Sequence, residues 1–212
     1  AAGRPPVALP PLGQRIAVAS DHAFGFAYWH MLEDWRRQGG EILFFSPLAG
    51  QGPAVEADAV FLPGGYPELH AGTIAAAEGV RAAMRSAVNR GATIYGECGG
   101  YMVLGEALTD ADGVAHPMLG LLRLETSFAE RRRHLGYRRL EPLAGPWQAP
   151  LKAHEFHYST TLRAAGDPLF KAADAEGRDL GPTGLRAGTV MGSFLHLIEA
   201  EPARGRLGAM RL

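Results

Sequence analysis

Thr93-Ile94-Tyr95-Gly96-Glu97-Cys98-Gly99-Gly100-Tyr101-Met102 is the stretch on which the fold turns. Its apolar lead-in, Thr93-Ile94-Tyr95, reads as the end of a buried strand, and Tyr101–Leu104 as the first turn of a helix. Between them stands the only cysteine of the chain, Cys98, in Gly-x-Cys-x-Gly spacing. That is the spacing of a strand-to-helix elbow with a nucleophile at its tip. So sharp a turn crowds the backbone, and the neighbours of the nucleophile must lack a Cβ. The elbow also aims the thiol at a helix N-terminus, where free N–H groups and the dipole favour a thiolate. Taken alone, ten residues of this kind also suit a buried, inert cysteine beside a glycine turn. The rest of the chain decides.

Upstream, Arg15–Ser20, Glu41–Phe45 and Ala59–Leu62 are short apolar runs, as expected of strands buried in a parallel sheet. Tyr28, Met31, Leu32 and Trp35 recur at helical spacing, with Gly39-Gly40 as the stop. Ile74–Val88 carries Val80, Met84 and Val88 on one stripe, stopped by Asn89-Arg90-Gly91. This order predicts an α/β fold, a mostly parallel sheet flanked by crossover helices. Sites in such sheets lie at the carboxyl ends of strands. Both the Pro63–Leu69 loop and the Cys98 elbow fall there. Downstream of Leu104, Gly120–Phe128, Tyr137–Leu140 and Ala153–Leu162 read as strands with no strong helix between them, so a small antiparallel layer is expected. Gly188–Leu195 reads as a further strand that delivers His196 at its end, and Leu197–Leu212 as a short tail that frays.

A chain of 212 residues suits one domain, and 47% hydrophobic against 20% charged residues gives it material for a core. A formal net charge of −1 lacks the basic excess of a nucleic-acid binder. One cysteine cannot close an internal disulfide. No apolar run approaches a membrane span and no basic-then-apolar leader opens the chain, so no membrane partner and a cytoplasmic location are expected. Ala1–Gly13 (AAGRPPVALPPLG) holds four prolines and two glycines and reads as an extended linker without a packed face. Residues 1–14 are therefore expected to be an interdomain linker and 15–212 one domain, at the C-terminal end of a longer polypeptide.

A thiol near its ordinary pKa is barely ionised at pH 7, so Cys98 needs a base within reach. Of eight histidines, His196 follows a strand-like run and lands on the same rim as the elbow. His154 and His157, three apart on a strand, point to opposite faces and do not make a paired metal site. No zinc pattern supports one either, so no metal is expected. His22, His30, His70, His116 and His134 read as surface or packing residues. For an oxyanion hole, the N–H of Gly99 follows the nucleophile and the Gly64-Gly65 pair offers a bare backbone on a neighbouring loop.

Pro63-Gly64-Gly65, then Gly96-Glu97-Cys98-Gly99-Gly100, then His196 resembles the class I glutamine amidotransferases. More narrowly, Leu62–His70, Tyr95–Met102, His154–Ser159 and Gly192–His196 resemble the glutaminase halves of the corrinoid a,c-diamide synthases, which act on cobyrinic or hydrogenobyrinic acid. The similarity covers nearly everything from Arg15 onward. It implies a flavodoxin-like core, Cys98 as nucleophile on the glutamine side-chain amide, and His196 as its base. It further implies an oxyanion held by Gly65 and Gly99, a glutamyl thioester, and ammonia passed to an ATP-dependent synthetase domain of the same polypeptide, which amidates the corrinoid. No G-x-x-x-x-G-K-[ST] loop occurs in the chain. ATP and Mg²⁺ are thus expected in that upstream domain, no cofactor in this one, and glutamine hydrolysis is the most this chain should do alone. Most of the superfamily orients the imidazole with a Glu two residues after the His; here that position is Ile198, and Glu155 is the candidate orienting group. Arg131-Arg132-Arg133, with Arg138 and Arg139, reads equally as a solvated face or as a contact for the acidic corrinoid or the synthetase domain. The alternatives are a PfpI-like cysteine hydrolase on the same elbow or an amidotransferase of the cobyric acid synthase type. Many of the former carry His directly after the Cys, where this chain has Gly99.

Overall fold

Four short strands carry the site, and their sequences explain their places. A computed structural model describes residues 7–202. The first part runs β1 (Arg15–Ala19), α1 (Trp29–Arg37), β2 (Glu41–Phe45), β3 (Ala59–Leu62), α2 (Ala71–Ala76), α3 (Glu78–Asn89), β4 (Thr93–Glu97) and α4 (Gly99–Leu104). The second is nearly all strand: β5 (Ala107–Thr109), β6 (Ala115–Pro117), β7 (Arg123–Ser127), β8 (His134–Pro142), β9 (Leu151–His157), β10 (Thr160–Ala165), β11 (Phe170–Asp174), β12 (Asp179–Thr183), β13 (Leu185–Ala187), β14 (Val190–Ser193) and β15 (Leu195–Ala200). The central sheet has the order β13-β14-β4-β3-β1-β2, parallel except for β13. β3 and β4 are buried along nearly their whole length, as near-continuous apolar runs in a parallel sheet must be.

Side-chain alternation sends one set of these residues to each face of the sheet. Val60, Leu62 and Ile94 pack with α3, α4 and the neighbourhood of β5 and β7, through Met84, Met102, Leu104, Leu108 and Leu124. Phe61 and Tyr95 face the other way, toward α1 and the antiparallel layer. Their rings stack at 5.9 Å, with Trp35 and Trp147 edge-on to the pair. The site lies above both cores, at the carboxyl ends of β1, β3, β4 and β14. No helix among the described residues is long and apolar enough to cross a membrane.

Several expectations change. The helix expected over Ile74–Val88 is two helices, α2 and α3. Ala77 leaves the helical region with φ −79° and ψ 68°, and the Arg81 guanidinium donates to the Ala75 carbonyl at the break. The antiparallel layer is two sheets: five strands in the order β12-β11-β8-β9-β15, and four in the order β10-β7-β5-β6 with β5 and β7 parallel. Ala153–Leu162 is accordingly not one strand, since β9 and β10 belong to different sheets. The run to Leu195 also divides. β14 ends at Ser193, the chain steps out of the central sheet at Phe194, and His196 is the second residue of β15. Leu197–Ala200 does not fray but pairs with β9; residues 203–212, also assigned to the tail, lie outside the described residues. The proline-rich start has a packed face after all, because Leu9 and Leu12 are buried in the core under α1 and β15. Val7 accepts from the Ala200 amide, and Gln38 donates to the Leu9 carbonyl. Residues 1–6 of that stretch lie outside the described residues.

Candidate active site

β4 ends at Glu97, and Cys98 turns the chain with φ 48° and ψ −108°. It is the one non-glycine residue with positive φ among the described residues. A conformation of this kind costs about 1–3 kcal/mol and persists where its surroundings over-determine it. They do so here. The Cys98 amide donates to the Ser193 carbonyl at 2.9 Å, and the Cys98 carbonyl accepts the first α4 bond, from Met102, at 3.1 Å. A Cβ on Gly96 would stand 2.8 Å from the Gly100 backbone, and one on Gly100 would overlap the Leu62 carbonyl. The elbow's glycines are thus required by close approach of α4 to β3 and β4.

The residues singled out for catalysis meet at this point, with one exception. Cys98 is 4% exposed and His196 6% exposed. Gly64 lies against both: a Cβ there would overlap the imidazole, and would come within 3.3 Å of the Cys98 Cβ and 3.2 Å of His196 Nε2. The Phe26 amide holds the Gly64 carbonyl at 2.9 Å. The backbone amides of Gly65 and Gly99 lie near enough to the Cys98 sulfur to favour its ionised form. Two N–H groups beside the nucleophile are the kind of donors an oxyanion hole requires.

Glu155 is the exception. In the β15–β9 register His196 stands opposite His154, so Glu155, one residue along, faces the other side of the sheet. Its carboxylate is held by Arg138 at 2.6 Å and lies 3.3 Å from His157. It does not orient His196. The carboxyl beside His196 is that of Glu97, a residue that no motif in the sequence singles out: its Oε2 lies 3.7 Å from His196 Nδ1, and its Oε1 accepts from the Leu197 amide at 3.0 Å. The available signal was an acid closing an otherwise apolar buried strand, where an ionisable group is costly without a purpose.

Burial governs the proton affinities. It pushes the Cys98 thiol up to about 12 against the Gly99 and Gly65 amides, with the charges of Glu97 and Glu68 pushing the same way. It brings His196 down to about 4, helped by His154 and His157. Both directions favour a neutral thiol beside a neutral imidazole. The thiolate expected at the helix N-terminus is therefore not the resting form, since desolvation outweighs the few N–H groups of a six-residue helix. The thiol donates instead to the Phe156 carbonyl at 3.6 Å. A cleft of about 460 Å³, lined by Phe26, Tyr28, Trp29, His154 and Phe156, leads down to His196.

His154 faces Tyr137 and His196 whereas His157 faces Phe194 and Ser159, so the two do lie on opposite sides of β9. The pairing that spacing could not reveal is cross-strand. His134 stacks on His157 at 4.5 Å, and with Glu155 they bring three ligand atoms within 4.8 Å of one another. Arg138 and Ser159 already engage that group. The arginine cluster divides: Arg131, Arg132 and Arg133 are exposed, while Arg138 pairs with Glu155 and Arg139 with Glu201.

A strained cysteine elbow on a parallel sheet, faced by a histidine and two nearby amides, defines a cysteine-dependent acyl-transfer domain. The chain belongs to the CobB/CobQ-like glutamine amidotransferase domain family, whose profile matches residues 15–203. The hydrogenobyrinate a,c-diamide synthase of Brucella anthropi is 63% identical over 193 residues, 90% of this chain and 44% of the relative. The protein of the same name from Rhodobacter capsulatus is 55% identical over 195 residues, again 90% and 44%. The chain thus spans less than half the length of these curated relatives. Among solved structures, PurLQS from Thermotoga maritima shares the fold with a TM-score of 0.57 at 15% identity, covering 86% of each chain. The glutaminase domain of Trypanosoma brucei CTPS with bound acivicin does so with a TM-score of 0.51 at 14% identity, covering 87% of this chain and 86% of that one.

Proposed function

We propose that this chain is the glutaminase half of an ATP-dependent amidoligase that amidates the a and c acetate side chains of a corrinoid. The observation that carries the reading is the 63% identity to hydrogenobyrinate a,c-diamide synthases across the part that contains Cys98, His196, Gly65 and Gly99. The names of these relatives favour the metal-free acid, hydrogenobyrinate, over its cobalt form. ATP and Mg²⁺ belong, in this reading, to the remaining length of the polypeptide.

Glutamine enters the cleft with its side-chain amide over Cys98. The thiol proton passes to His196 Nε2 as the sulfur bonds to the amide carbon, and the oxyanion that forms is met by the Gly65 and Gly99 amides. His196 then returns the proton to the departing nitrogen, the C–N bond breaks, and ammonia leaves. Water, its proton taken by His196, cleaves the glutamyl thioester and restores the thiol with release of glutamate. Because thiol and imidazole are both neutral at rest, proton transfer and attack are coupled.

In the full-length polypeptide, Cys98→Ala should abolish glutamine-driven amidation and leave ammonia-driven amidation near the wild-type rate. Equal loss of both activities would falsify the assignment of Cys98 to the glutaminase step.

A further inference from the structure

We propose that Glu97 is the positioning residue for His196, a carboxylate supplied by the nucleophile's own strand. The inference rests on the glutaminase reading above and deepens it. To accept the thiol proton, His196 must present a bare Nε2 on the Gly64 and Cys98 side, so its ring proton must sit on Nδ1. An N–H there needs an acceptor, and the resulting imidazolium needs a negative charge. Glu97 Oε2 lies 3.7 Å from Nδ1, a distance that tightens once the ring is charged.

The carboxyl is also fixed in register with the histidine. Oε1 accepts from the Leu197 amide at 3.0 Å, one residue beyond His196, so backbone and ring of the same segment are clamped together. Ser193, paired with Glu97 across β14 and β4, accepts from the Leu195 amide at 3.2 Å and holds the other side of the turn. The Tyr95 hydroxyl lies beside the carboxyl without closing a well-formed hydrogen bond. Glu97 is 1% exposed, and a carboxyl so buried is retained only against specific partners.

The facing groups set the pH behaviour. They are His196 on β15, Tyr95 on β4, Ser193 on β14 and Cys98 on the elbow, with Tyr28 at the start of α1 within range of the Glu97 charge. Burial raises the Glu97 carboxyl to about 8. The ionised, orienting form therefore accumulates as pH rises toward that value.

The test is Glu97→Gln in the full-length polypeptide. Glutamate release should fall roughly 10- to 100-fold in kcat, less than the loss of a general base itself. The KM for glutamine should stay within about threefold, since ground-state binding is untouched. Ammonia-driven amidation should be unchanged, and the rise of kcat with pH toward about 8 should vanish. Glu97→Asp keeps a carboxyl and should keep that rise, at a reduced rate, which provides a second reading should the Gln variant fold poorly. Wild-type kcat and pH profile in the Gln variant would overturn the inference, as would parallel loss of glutamine- and ammonia-driven activity. Cys98→Ala separates the two claims. If it retains glutamine-driven activity, the glutaminase reading fails; if it loses that activity while Glu97→Gln behaves as wild type, only the role of Glu97 fails.

Discussion

Glu97 and His196 shift in opposite directions, and their effects on stability separate by pH. A carboxyl that binds its proton more tightly when folded makes the fold lose stability as pH rises from about 4.5, the unfolded value, to about 8. An imidazole that binds its proton more weakly when folded makes the fold gain stability from about 4 up to 6.5. Below pH 6.5 the two slopes oppose each other. Between pH 6.5 and about 8 the Glu97 slope remains, on the order of 2 kcal/mol over that window. Urea unfolding at pH 6.5 and pH 8 should show this loss for the wild type and not for Glu97→Gln; parallel behaviour of the two proteins would mean that Glu97 does not hold a proton in the fold. At this scale the sequence was legible where chemistry is local. Cys98, Gly99 and the Gly64-Gly65 pair announce themselves by spacing, and His196 by the run before it. The partner of His196 did not, because Glu97 meets the Leu197 amide across a separation of 100 residues. Glu155 was a reasonable candidate by residue type and failed on strand parity alone.

The same contrast holds among the elements. β1, β2, β3 and β4 were readable because each is a compact apolar run between turn residues, and a parallel sheet buries both of its faces. The corner between β9 and β10 was not, since Phe156-His157-Tyr158-Ser159 has neither glycine nor proline to mark it. The break at Phe194 is hidden for the same reason, although it moves His196 into another sheet. The proline-rich start misled in the opposite way, as composition described its backbone and not its two leucines. Leu9 and Leu12 are buried beside Ile16, Trp35 and Leu197, where they tie the first described residues to α1 and β15. Leu9→Ala should therefore cost about 2–4 kcal/mol in urea unfolding, the range of a buried leucine deletion. A cost within about 0.5 kcal/mol, typical of an exposed site, would show that the segment rests on the surface as a linker does.

At the scale of the molecule, the site is assembled but guarded. The thiol is 4% exposed, hydrogen-bonded to the Phe156 carbonyl, and neutral beside a neutral imidazole. Around the cleft the protein shows water a set of large apolar side chains, among them Trp29 at 65% and Tyr66 at 47% exposure, with Phe26 edge-on to Tyr66. Exposed apolar side chains gathered at a cleft suit a ligand groove or a surface met by another domain. In the function proposed above, the remaining length of the polypeptide, more than half in the relatives, would be that domain and would cover the cleft. Covering it would exclude water, strengthen every charge interaction inside, and hold the Phe26 and Phe156 walls against glutamine. The full-length protein should then exceed this chain alone in kcat/KM for glutamate release by roughly tenfold or more, since small misplacements at a reacting centre carry penalties of that size. Restoring the remainder as a separate chain should recover part of the difference, and Trp29→Ala should diminish that recovery. Equal rates for the isolated chain and the full-length protein would place the whole glutaminase apparatus, including its trigger, within residues 15–203.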